Sequence, residues 1–313
     1  MIETNGIRLH AVVDGAGPLV VFLHGFPECW YSWRHQLAAL APRFRVVAPD
    51  LRGYGDSDKP AGVAAYHLTE LRADLLGLIH ALGERDAIIV GHDWGGAVAW
   101  SFAMEHPEAT RRLVVMNCPH PAKYQEEVRA GFRQLGRSWY RFLFQLPWLP
   151  EALLGANRAR RVGDAIRRSA VRGAAITDAD IEVLRDAASK PGALRAAINY
   201  YRAAFRSPEA LAGLPLGVRR FLFGDRPFPP ARRTLADWPR IAAPTLLIWG
   251  EEDIALRKEC TYGMQELFSG PFELRYVPAC GHWVQQEAAD LVNEYLLGFL
   301  GDLSAEPSLL PTS

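Results

Sequence analysis

The stretch AIIVGHDWGGA, residues 87–97, decides how the rest of the chain is interpreted. Its apolar beginning predicts a buried strand, and the apolar residues that follow it predict a helix. Gly91 and Gly95 flank Asp93 and leave room for a sharp turn between strand and helix. This is the strand, G-x-nucleophile-x-G, helix context of a nucleophile elbow, with aspartate where serine is usual. We therefore expect Asp93 to stand above the end of a sheet strand.

An aspartate at this position has different chemistry from a serine. A carboxylate with a reference pKa of about 3.9 is anionic at neutral pH, so it can attack saturated carbon without a base. The resulting alkyl ester must then be hydrolysed, and water attack needs a base and a carboxylate that orients the base. The structural alternative is that Asp93 only caps the following helix, because aspartate is a favoured N-cap.

The partners of Asp93 are expected late in the chain, in the order nucleophile, acid, histidine. His282 follows the apolar run 272–277 and is the only histidine after residue 120. The stretch TLLIWGEED, residues 245–253, ends in three acids at the tip of a predicted strand. Glu251, Glu252 and Asp253 are all candidates at this stage, since spacing alone does not choose among them.

Hydrolysis of an ester builds an oxyanion that needs hydrogen-bond donors already in place. Trp94 directly follows Asp93 and offers one backbone N–H. The segment HGFPE, residues 24–28, follows an early predicted strand, and the Phe26 N–H is the expected second donor. The structural alternative is that HGFP is a simple turn at the end of a strand.

Short apolar runs alternate with longer amphipathic stretches at both ends of the chain, which predicts a mostly parallel α/β sheet. Asn5-Gly6 suits a tight hairpin, so the first strands are expected to be antiparallel at a sheet edge. The predicted strands are 7–13, 19–23, 45–49, 87–90, 113–116, 245–249 and 272–277. The predicted helices are 30–41, 68–82, 95–106, 257–268 and 287–300.

The alternation of predicted strands and helices stops between residues 121 and 215. Helical segments rich in aromatic residues and arginine take its place there. We interpret this part as a helical cap inserted into the α/β core. The expected division is 1–120 for the first part of the core, 121–239 for the cap and a connection, and 240–301 for the second part of the core. Residues 302–313 have few apolar side chains and are expected to form a frayed tail.

Composition excludes several classes of protein. The 313 residues are 49% hydrophobic and 22% charged, enough for a sizeable core, and 35 basic residues balance 35 acidic ones. This balance gives no reason to expect nucleic acid or a membrane surface as partner. Residues 1–10 have neither a basic nor an apolar signal-like segment, and the apolar runs are short, so neither a secretory signal nor a membrane anchor is expected. Four scattered cysteines without CxxC favour a cytoplasmic protein, and the absence of HExxH and Walker motifs predicts no metal or organic cofactor. A monomer or a homodimer is expected.

Taken together, these segments resemble the epoxide hydrolases of the α/β-hydrolase fold over residues 5–300, with 216–240 as the least typical part. The matching motifs are HGFPE at 24–28, WYSWR at 30–34, RGYGDSD at 52–58, GHDWGG at 91–96, NCPHP at 117–121, WGEED at 249–253 and GHW at 281–283. The resemblance implies a mostly parallel eight-stranded sheet flanked by helices, with an inserted helical cap. It implies Asp93 as nucleophile, His282 as base and Asp253 as the acid that orients it.

The resemblance also implies a cis peptide before Pro27 and two cap tyrosines that donate to the epoxide oxygen. The motif SWYRFLFQLP, residues 138–147, places one at Tyr140, and a second motif at 191–202 places the other at Tyr201. Tyr200 is the alternative if the register differs by one, and without the resemblance these tyrosines would be assigned to the cap core. The chemical reason for them is that ring opening generates an alkoxide, to which a phenol with pKa about 10 can donate.

The substrate implied is a small epoxide, which reacts with water to give a diol. Apolar side chains expected to line its pocket are those of Phe26, Pro27, Trp94, Phe142 and Trp283. Cys280 stands where relatives often have serine or another small residue. Its thiol either packs neutrally or faces the pocket and is open to oxidation.

Two other functions are compatible with this scaffold. A haloalkane or haloacid dehalogenase would share the aspartate nucleophile, but it needs donors for a halide, and Phe26 offers no side-chain donor where asparagine is often found. A non-catalytic ligand-binding relative would be expected to lack a triad member, and all three are present. Chloride release, or ligand binding without turnover, would separate these alternatives from the epoxide hydrolase.

Overall fold

A mostly parallel sheet forms the centre of the described structure, a computed structural model that describes residues 1–130, 139–207, 220 and 234–301. The strands are β1 (Ile2–Thr4), β2 (Ile7–Leu9), β3 (Ala11–Asp14), β4 (Leu19–Leu23), β5 (Arg45–Pro49), β6 (Ala87–His92), β7 (Thr110–Met116), β8 (Thr245–Gly250) and β9 (Phe272–Val277). Seven of them form the main sheet in the order β3-β5-β4-β6-β7-β8-β9. Among these seven strands, β3 alone pairs antiparallel with its neighbour. The predicted mostly parallel sheet is confirmed.

The central strands owe their positions to their apolar sequences. Every residue of β4, β6 and β8 is buried, as expected for strands covered by helices on both faces. Because these strands are parallel, their carboxyl ends meet at one edge of the sheet, and the loops that follow them converge there.

The number of strands in the main sheet differs from the expected eight, since the described residues contribute seven to it and two to a separate hairpin. The predicted strand 7–13 is divided at His10. Its N–H donates to Ser57 Oγ at 3.0 Å, and its carbonyl accepts from the Asp50 N–H at 2.8 Å. These two bonds take His10 out of the ladder, so β2 pairs with β1 and β3 pairs with β5. The turn Asn5-Gly6, at φ 42° and 72°, closes an antiparallel hairpin as predicted.

Helices cover both faces of the main sheet. The α-helices are α1 (Arg34–Leu40), α2 (Leu68–Ala81), α3 (Trp94–Glu105), α4 (Pro121–Ala130), α5 (Tyr140–Leu143), α6 (Leu149–Ser169), α7 (Asp178–Ser189), α8 (Ala193–Phe205), α9 (Val284–Glu287) and α10 (Ala289–Leu300). Apolar side chains of α2 and α3 pack on one face, and those of α1 and α10 pack on the other. The prediction of a helix over 257–268 is wrong: two short 3-10 turns occupy this stretch, separated by Gly263 at φ 65°, a backbone conformation that ends a helix.

The described residues between β7 and β8 contain helices α4 to α8 and no strand. Helix α8 connects this part to the core, because the Tyr200 hydroxyl donates to the Arg52 carbonyl at 2.8 Å and Ala196 is buried in the same apolar cluster as β4. The division into core and cap at residues 120 and 240 stays a prediction. Most of the 216–240 connection, and the tail at 302–313, lie outside the described residues.

Within the ranges that the structure describes, no helix combines the length and the apolar character that a membrane span requires.

Candidate active site

The turn between β6 and α3 holds Asp93 at the carboxyl edge of the sheet. Its φ and ψ are 48° and −117°, a backbone conformation that residues other than glycine rarely adopt. The two flanking glycines are required sterically. A Cβ on Gly91 would lie 2.4 Å from the Gly95 carbonyl oxygen, and one on Gly95 would lie 2.0 Å from the Leu23 carbonyl oxygen. Asp93 occupies the N-cap position of α3, but its side chain makes no capping hydrogen bond, which leaves the carboxylate for other contacts.

His282 and Asp253 lie beside Asp93 on the loops that follow β9 and β8. His282 Nδ1 is 2.7 Å from Asp253 Oδ2, and His282 Nε2 is 3.7 Å from Asp93 Oδ2. Of the three acids at the tip of β8, the structure brings Asp253 to the histidine. Glu251 instead pairs with Lys258 at 3.0 Å, and Glu252 is exposed.

Asp253 is held as a buried carboxylate by several donors besides the histidine. Its Oδ2 accepts from Asn117 Nδ2 at 2.8 Å, and its Oδ1 accepts from the backbone N–H groups of Ala255 and Leu256 at 2.7 and 3.0 Å. Burial alone would raise the pKa of Asp253, but the charge and hydrogen bond of His282, together with the Asn117 bond, lower it below its ordinary value. The side chain is therefore an anion that fixes the orientation of the imidazole.

Opposing influences also set the protonation of His282. Burial lowers the pKa of His282, but the charge of Asp253, the hydrogen bond to it and the charge of Asp93 outweigh burial and raise the pKa to about 9. The imidazole is therefore protonated at neutral pH, beside the ionised Asp253 carboxylate.

A second buried pair, which was not predicted from the sequence, lies behind the histidine. Glu28 Oε2 is 2.9 Å from His92 Nδ1, and His92 Nε2 is 2.9 Å from the carbonyl oxygen of His282. Gln285 and Gln286 donate to Glu28 Oε1 at 3.0 and 2.8 Å. These bonds join the HGFPE loop, the elbow, the His282 loop and α9. Glu28 and His92 stand within the HGFPE and GHDWGG motifs, which is the sequence signal that could have indicated the pair.

The HGFPE loop places a hydrogen-bond donor on Asp93 itself. The Phe26 N–H donates to Asp93 Oδ1 at 2.8 Å, and the peptide between Phe26 and Pro27 is cis, as the resemblance implied. The same N–H can therefore reach an oxyanion formed at the Asp93 carbon. The role of the Trp94 N–H, at the first residue of α3, stays a prediction.

Tyr140 and Tyr201 come together across the cap from α5 and α8. Their ring centroids are 5.8 Å apart, and the Tyr201 ring lies 5.3 Å from Phe26 and 5.0 Å from Trp94. Burial, followed by the charge of Asp93, raises the pKa of Tyr140, and burial raises the pKa of Tyr201. Both phenols are therefore protonated at neutral pH. Tyr200, the alternative in register, is fully buried and donates to the Arg52 carbonyl, so it belongs to the cap–core contact instead.

The structure does not bring Phe142 to the site. Its side chain is 49% exposed and its ring packs against Phe205, at a centroid distance of 5.9 Å. The reason is helical geometry: residues two apart in a helix point to opposite faces, whereas residues four apart share a face. Phe144, four residues after Tyr140, is a site residue that was not predicted from the sequence. Its ring contacts Phe26, Tyr140 and Tyr201.

Two other expected residues lie near the histidine. The Trp283 ring is 4.8 Å from the His282 ring, and its indole N–H donates to Ser169 Oγ at 2.7 Å, which joins the histidine loop to α6. Cys280 is fully buried in the apolar cluster beneath the sheet, and burial raises the pKa of its thiol to about 12. Of the two interpretations of Cys280, the structure supports neutral packing.

One group of potential metal ligands occurs in the described part of the chain: the ligand atoms of His10, Asp50 and Asp56 lie within 4.8 Å of one another. His10 Nδ1 and Asp50 Oδ2 hydrogen-bond to each other at 2.9 Å, and Asp56 forms an ion pair with Lys190. These atoms already have partners within the protein, and none of them belongs to the group around Asp93.

Residues 18–289 match the family model of the alpha/beta hydrolase fold, which makes the chain a member of the α/β hydrolases and confirms the expected fold. The chain is 37% identical to epoxide hydrolase 3 of Mus musculus over 96% of this chain and 76% of the mouse protein. It is 33% identical to epoxide hydrolase A of Mycobacterium tuberculosis, over 97% of both. A crystal structure of an inhibitor complex of Bacillus megaterium epoxide hydrolase matches with a TM-score of 0.82 at 27% identity, over 96% of this chain and 99% of that one. Within the α/β hydrolases, the chain belongs to the epoxide hydrolases.

Proposed function

We propose that the protein hydrolyses epoxides to vicinal diols in two steps, through a covalent hydroxyalkyl ester on Asp93. The observation that carries this proposal is the position of His282. One ring nitrogen is fixed by Asp253 at 2.7 Å, and the other faces Asp93 at 3.7 Å, beyond direct hydrogen-bond distance, so it is placed to act as base on water that attacks an ester formed there. The named relatives, which are epoxide hydrolases, support the same reaction.

In the first step, an Asp93 carboxylate oxygen attacks a ring carbon of the epoxide. A carbon–oxygen bond to Asp93 forms while the carbon–oxygen bond of the ring breaks, and the departing oxygen receives a proton from Tyr140 or Tyr201. The phenols can supply this proton because burial keeps them neutral in the free enzyme. An alkoxide without such a donor would be a poor leaving group.

The second step needs a neutral imidazole, and the first step supplies it. Ester formation removes the negative charge of Asp93, which is one of the influences that raise the pKa of His282 to about 9. The pKa of His282 therefore falls when the ester forms. The proton that His282 releases balances the one that the tyrosine gave to the alkoxide, so the phenol is restored.

Neutral His282 then takes a proton from water as the water attacks the ester carbon. The oxyanion that develops on the former carboxylate is placed to accept from the Phe26 N–H, which already donates to Asp93 Oδ1 at 2.8 Å. Collapse of this intermediate breaks the ester bond, the departing oxygen takes the proton of the newly added hydroxyl to give the diol, and the Asp93 carboxylate is restored. We also propose the Trp94 N–H as the second donor of this oxyanion hole.

A single-turnover experiment in water labelled with heavy oxygen tests the ester directly. With enzyme in excess over styrene oxide, the first diol should carry an unlabelled oxygen from Asp93, and the label should appear in the peptide that contains Asp93. With substrate in excess, later diol should carry the label. Label in the diol of the first turnover would mean that water attacks the epoxide directly, and the ester mechanism would be wrong.

The same preparation separates the alternatives. A dehalogenase would release chloride from a chloroalkane and leave styrene oxide unchanged. A ligand-binding relative would bind the epoxide without producing diol. Diol without chloride release is the outcome expected for an epoxide hydrolase.

A further inference from the structure

We propose that Arg141 binds a carboxylate group of the substrate, so that the enzyme favours epoxides that carry a carboxylate close to the ring. This inference rests on the proposed function, because it assigns a binding partner to the residue that directly follows Tyr140 in α5. It adds the chemical class of the substrate to the reaction proposed above.

The position of Arg141 brings its charge into the site. Its guanidinium donates to the Tyr124 hydroxyl on α4, and its Cζ lies 5.0 Å from the centroid of the Tyr124 ring. The guanidinium is also close enough to Tyr140 to oppose the rise in the pKa of that phenol that burial and the charge of Asp93 cause. Its charge interacts with both Tyr140 and Tyr201, so it lies between Tyr124 of α4 and the tyrosine pair.

The hydrogen-bonding capacity of Arg141 is largely unused. A guanidinium has five N–H donors in a planar fork, and the bond to Tyr124 uses one of them. Among the residues that the structure describes, no carboxylate lies within ion-pair distance of Arg141. Arg141 is partly buried, and a cation partly withdrawn from water without an anion nearby suits a site in which the ligand supplies the anion.

Arg202, in the same cap, is bound very differently. Its guanidinium pairs with Glu151 at 2.7 Å and also donates to the carbonyls of Phe144 and Leu146 at 2.9 and 2.6 Å. Arg202 is thus a structural arginine with its donors occupied by the protein. Among the described residues, no carboxylate accepts a hydrogen bond from Arg141. A carboxylate that accepts two parallel N–H bonds is the ligand that fits the planar guanidinium.

The charge balance of the site allows an anionic substrate. Asp253 is compensated by the His282 imidazolium, which leaves Asp93 as one negative charge and Arg141 as one positive charge. A substrate carboxylate would be paired by Arg141, and Asp93 would then be the one charge of this group without an opposite charge paired to it. Because Tyr140 and Arg141 are consecutive residues of one helical turn, the carboxylate should lie on the oxirane or on a short group attached to it.

Competitive inhibition by benzoate and benzamide, with styrene oxide as substrate, tests the inference. These probes have the same shape and differ in charge. In the unmodified protein, benzoate should inhibit at about tenfold lower concentration than benzamide, as expected for a charge-assisted bidentate pair. Arg141→Gln should abolish this preference. The matched control Arg195→Gln, which removes an exposed charge from α8, should leave it unchanged.

A second measurement uses an epoxide acid as substrate. Phenylglycidate, whose oxirane carries a phenyl ring on one carbon and a carboxylate on the other, should be hydrolysed with a higher kcat/KM than its carboxamide. Arg141→Gln should remove the difference mainly through KM. Arg141→Lys keeps the charge without the fork, and it should retain part of the preference even if the glutamine variant fails to fold.

Two outcomes would overturn the inference: equal inhibition by benzoate and benzamide in the unmodified protein, or a preference for the acid that survives in Arg141→Gln. Styrene oxide itself tests the proposed function, since its hydrolysis without an acid preference would count against Arg141 alone.

Discussion

The α/β core and the cap contribute to the site in different ways. Asp93, Asp253 and His282 each follow a strand of the main sheet, and these strands end at one edge, so the order of the sheet brings the three side chains together. Tyr140 and Tyr201 come from two separate cap helices, and they meet only because each lies on the face of its helix that is turned to the core. Strand order therefore determines how Asp93, Asp253 and His282 are placed, whereas helix faces determine how the two tyrosines are placed.

The two regions also hold their residues with different interactions. Asp253 accepts several hydrogen bonds, and bonds to a charged group contribute about 1.5–3 kcal/mol each. The cap tyrosines are held mainly by contacts between aromatic rings, which contribute about 0.5–1.5 kcal/mol beyond burial. Changes in the core site should consequently stop a chemical step, and changes in the cap should alter rate or affinity by degrees.

The largest effect is expected for the nucleophile. Asp93→Ala should lower diol formation from styrene oxide by at least about ten-thousand-fold, since the elbow then has no carboxylate on which the ester can form. The melting temperature should show that the variant is folded, and Asp93→Asn, which tolerates the positive φ, serves as a second variant. Substantial diol from both folded variants would remove Asp93 from the mechanism.

A substitution of His282 should separate ring opening from hydrolysis of the ester. His282→Gln should still open the ring but hydrolyse the ester about a hundred- to ten-thousand-fold more slowly, because no group then takes the proton from water. The protein should gain the mass of one substrate molecule, visible by mass spectrometry of the intact chain. A variant that loses turnover without gaining this mass would show that His282 is needed before the ester forms.

The next largest effect is expected for the two cap tyrosines, Tyr140 and Tyr201. The double change Tyr140→Phe/Tyr201→Phe should lower kcat/KM by about a thousand-fold, and each single change by less, because either phenol can still donate. Tyr200→Phe is the matched control: it removes a hydroxyl bound to Arg52 and should cost about 1 kcal/mol of stability with little effect on turnover. A greater loss of kcat/KM in Tyr200→Phe than in Tyr201→Phe would assign the second cap donor to Tyr200 instead of Tyr201.

Two phenylalanines in the same segment distinguish the inner and outer faces of the cap. Phe144→Ala should raise KM by about tenfold, because it removes a ring that contacts Tyr140 and Tyr201. Phe142→Ala should change KM by less than about twofold, since that side chain is half exposed and away from the site. Equal effects of the two variants on steady-state kinetics would contradict the placement of these helix faces.

The smallest expected effect is a shift in the pKa of His282. In Asp93→Asn, which imitates the charge of the ester, the pKa of His282 should fall by about one unit from its value near 9. NMR titration of the His282 ring measures it. The direction follows from the lost anion, which no longer favours the imidazolium. An unchanged pKa would mean that ester formation does not switch on the base.

The core could be read from the sequence because its signals are local. Gly91 and Gly95 mark the elbow, and each triad member directly follows an apolar strand. What the sequence left open depends on distant contacts: the choice of Asp253 over Glu251 depends on Asn117 and His282, and the division of the first strand at His10 depends on Asp50 and Ser57. Phe142 was placed on the wrong face because the helical phase of so short a segment is set by packing. The Glu28–His92 pair was missed because its partners are distant in sequence.

The backbone at Asp93 sets the requirements of catalysis against those of folding. A residue with a side chain at φ 48° and ψ −117° costs about 1–3 kcal/mol that the rest of the fold must offset. Selection for a durable protein alone would favour glycine at this turn, and selection for turnover requires a carboxylate there. The elbow is therefore a compromise between lifetime and activity, maintained by the buried strands on either side of β6.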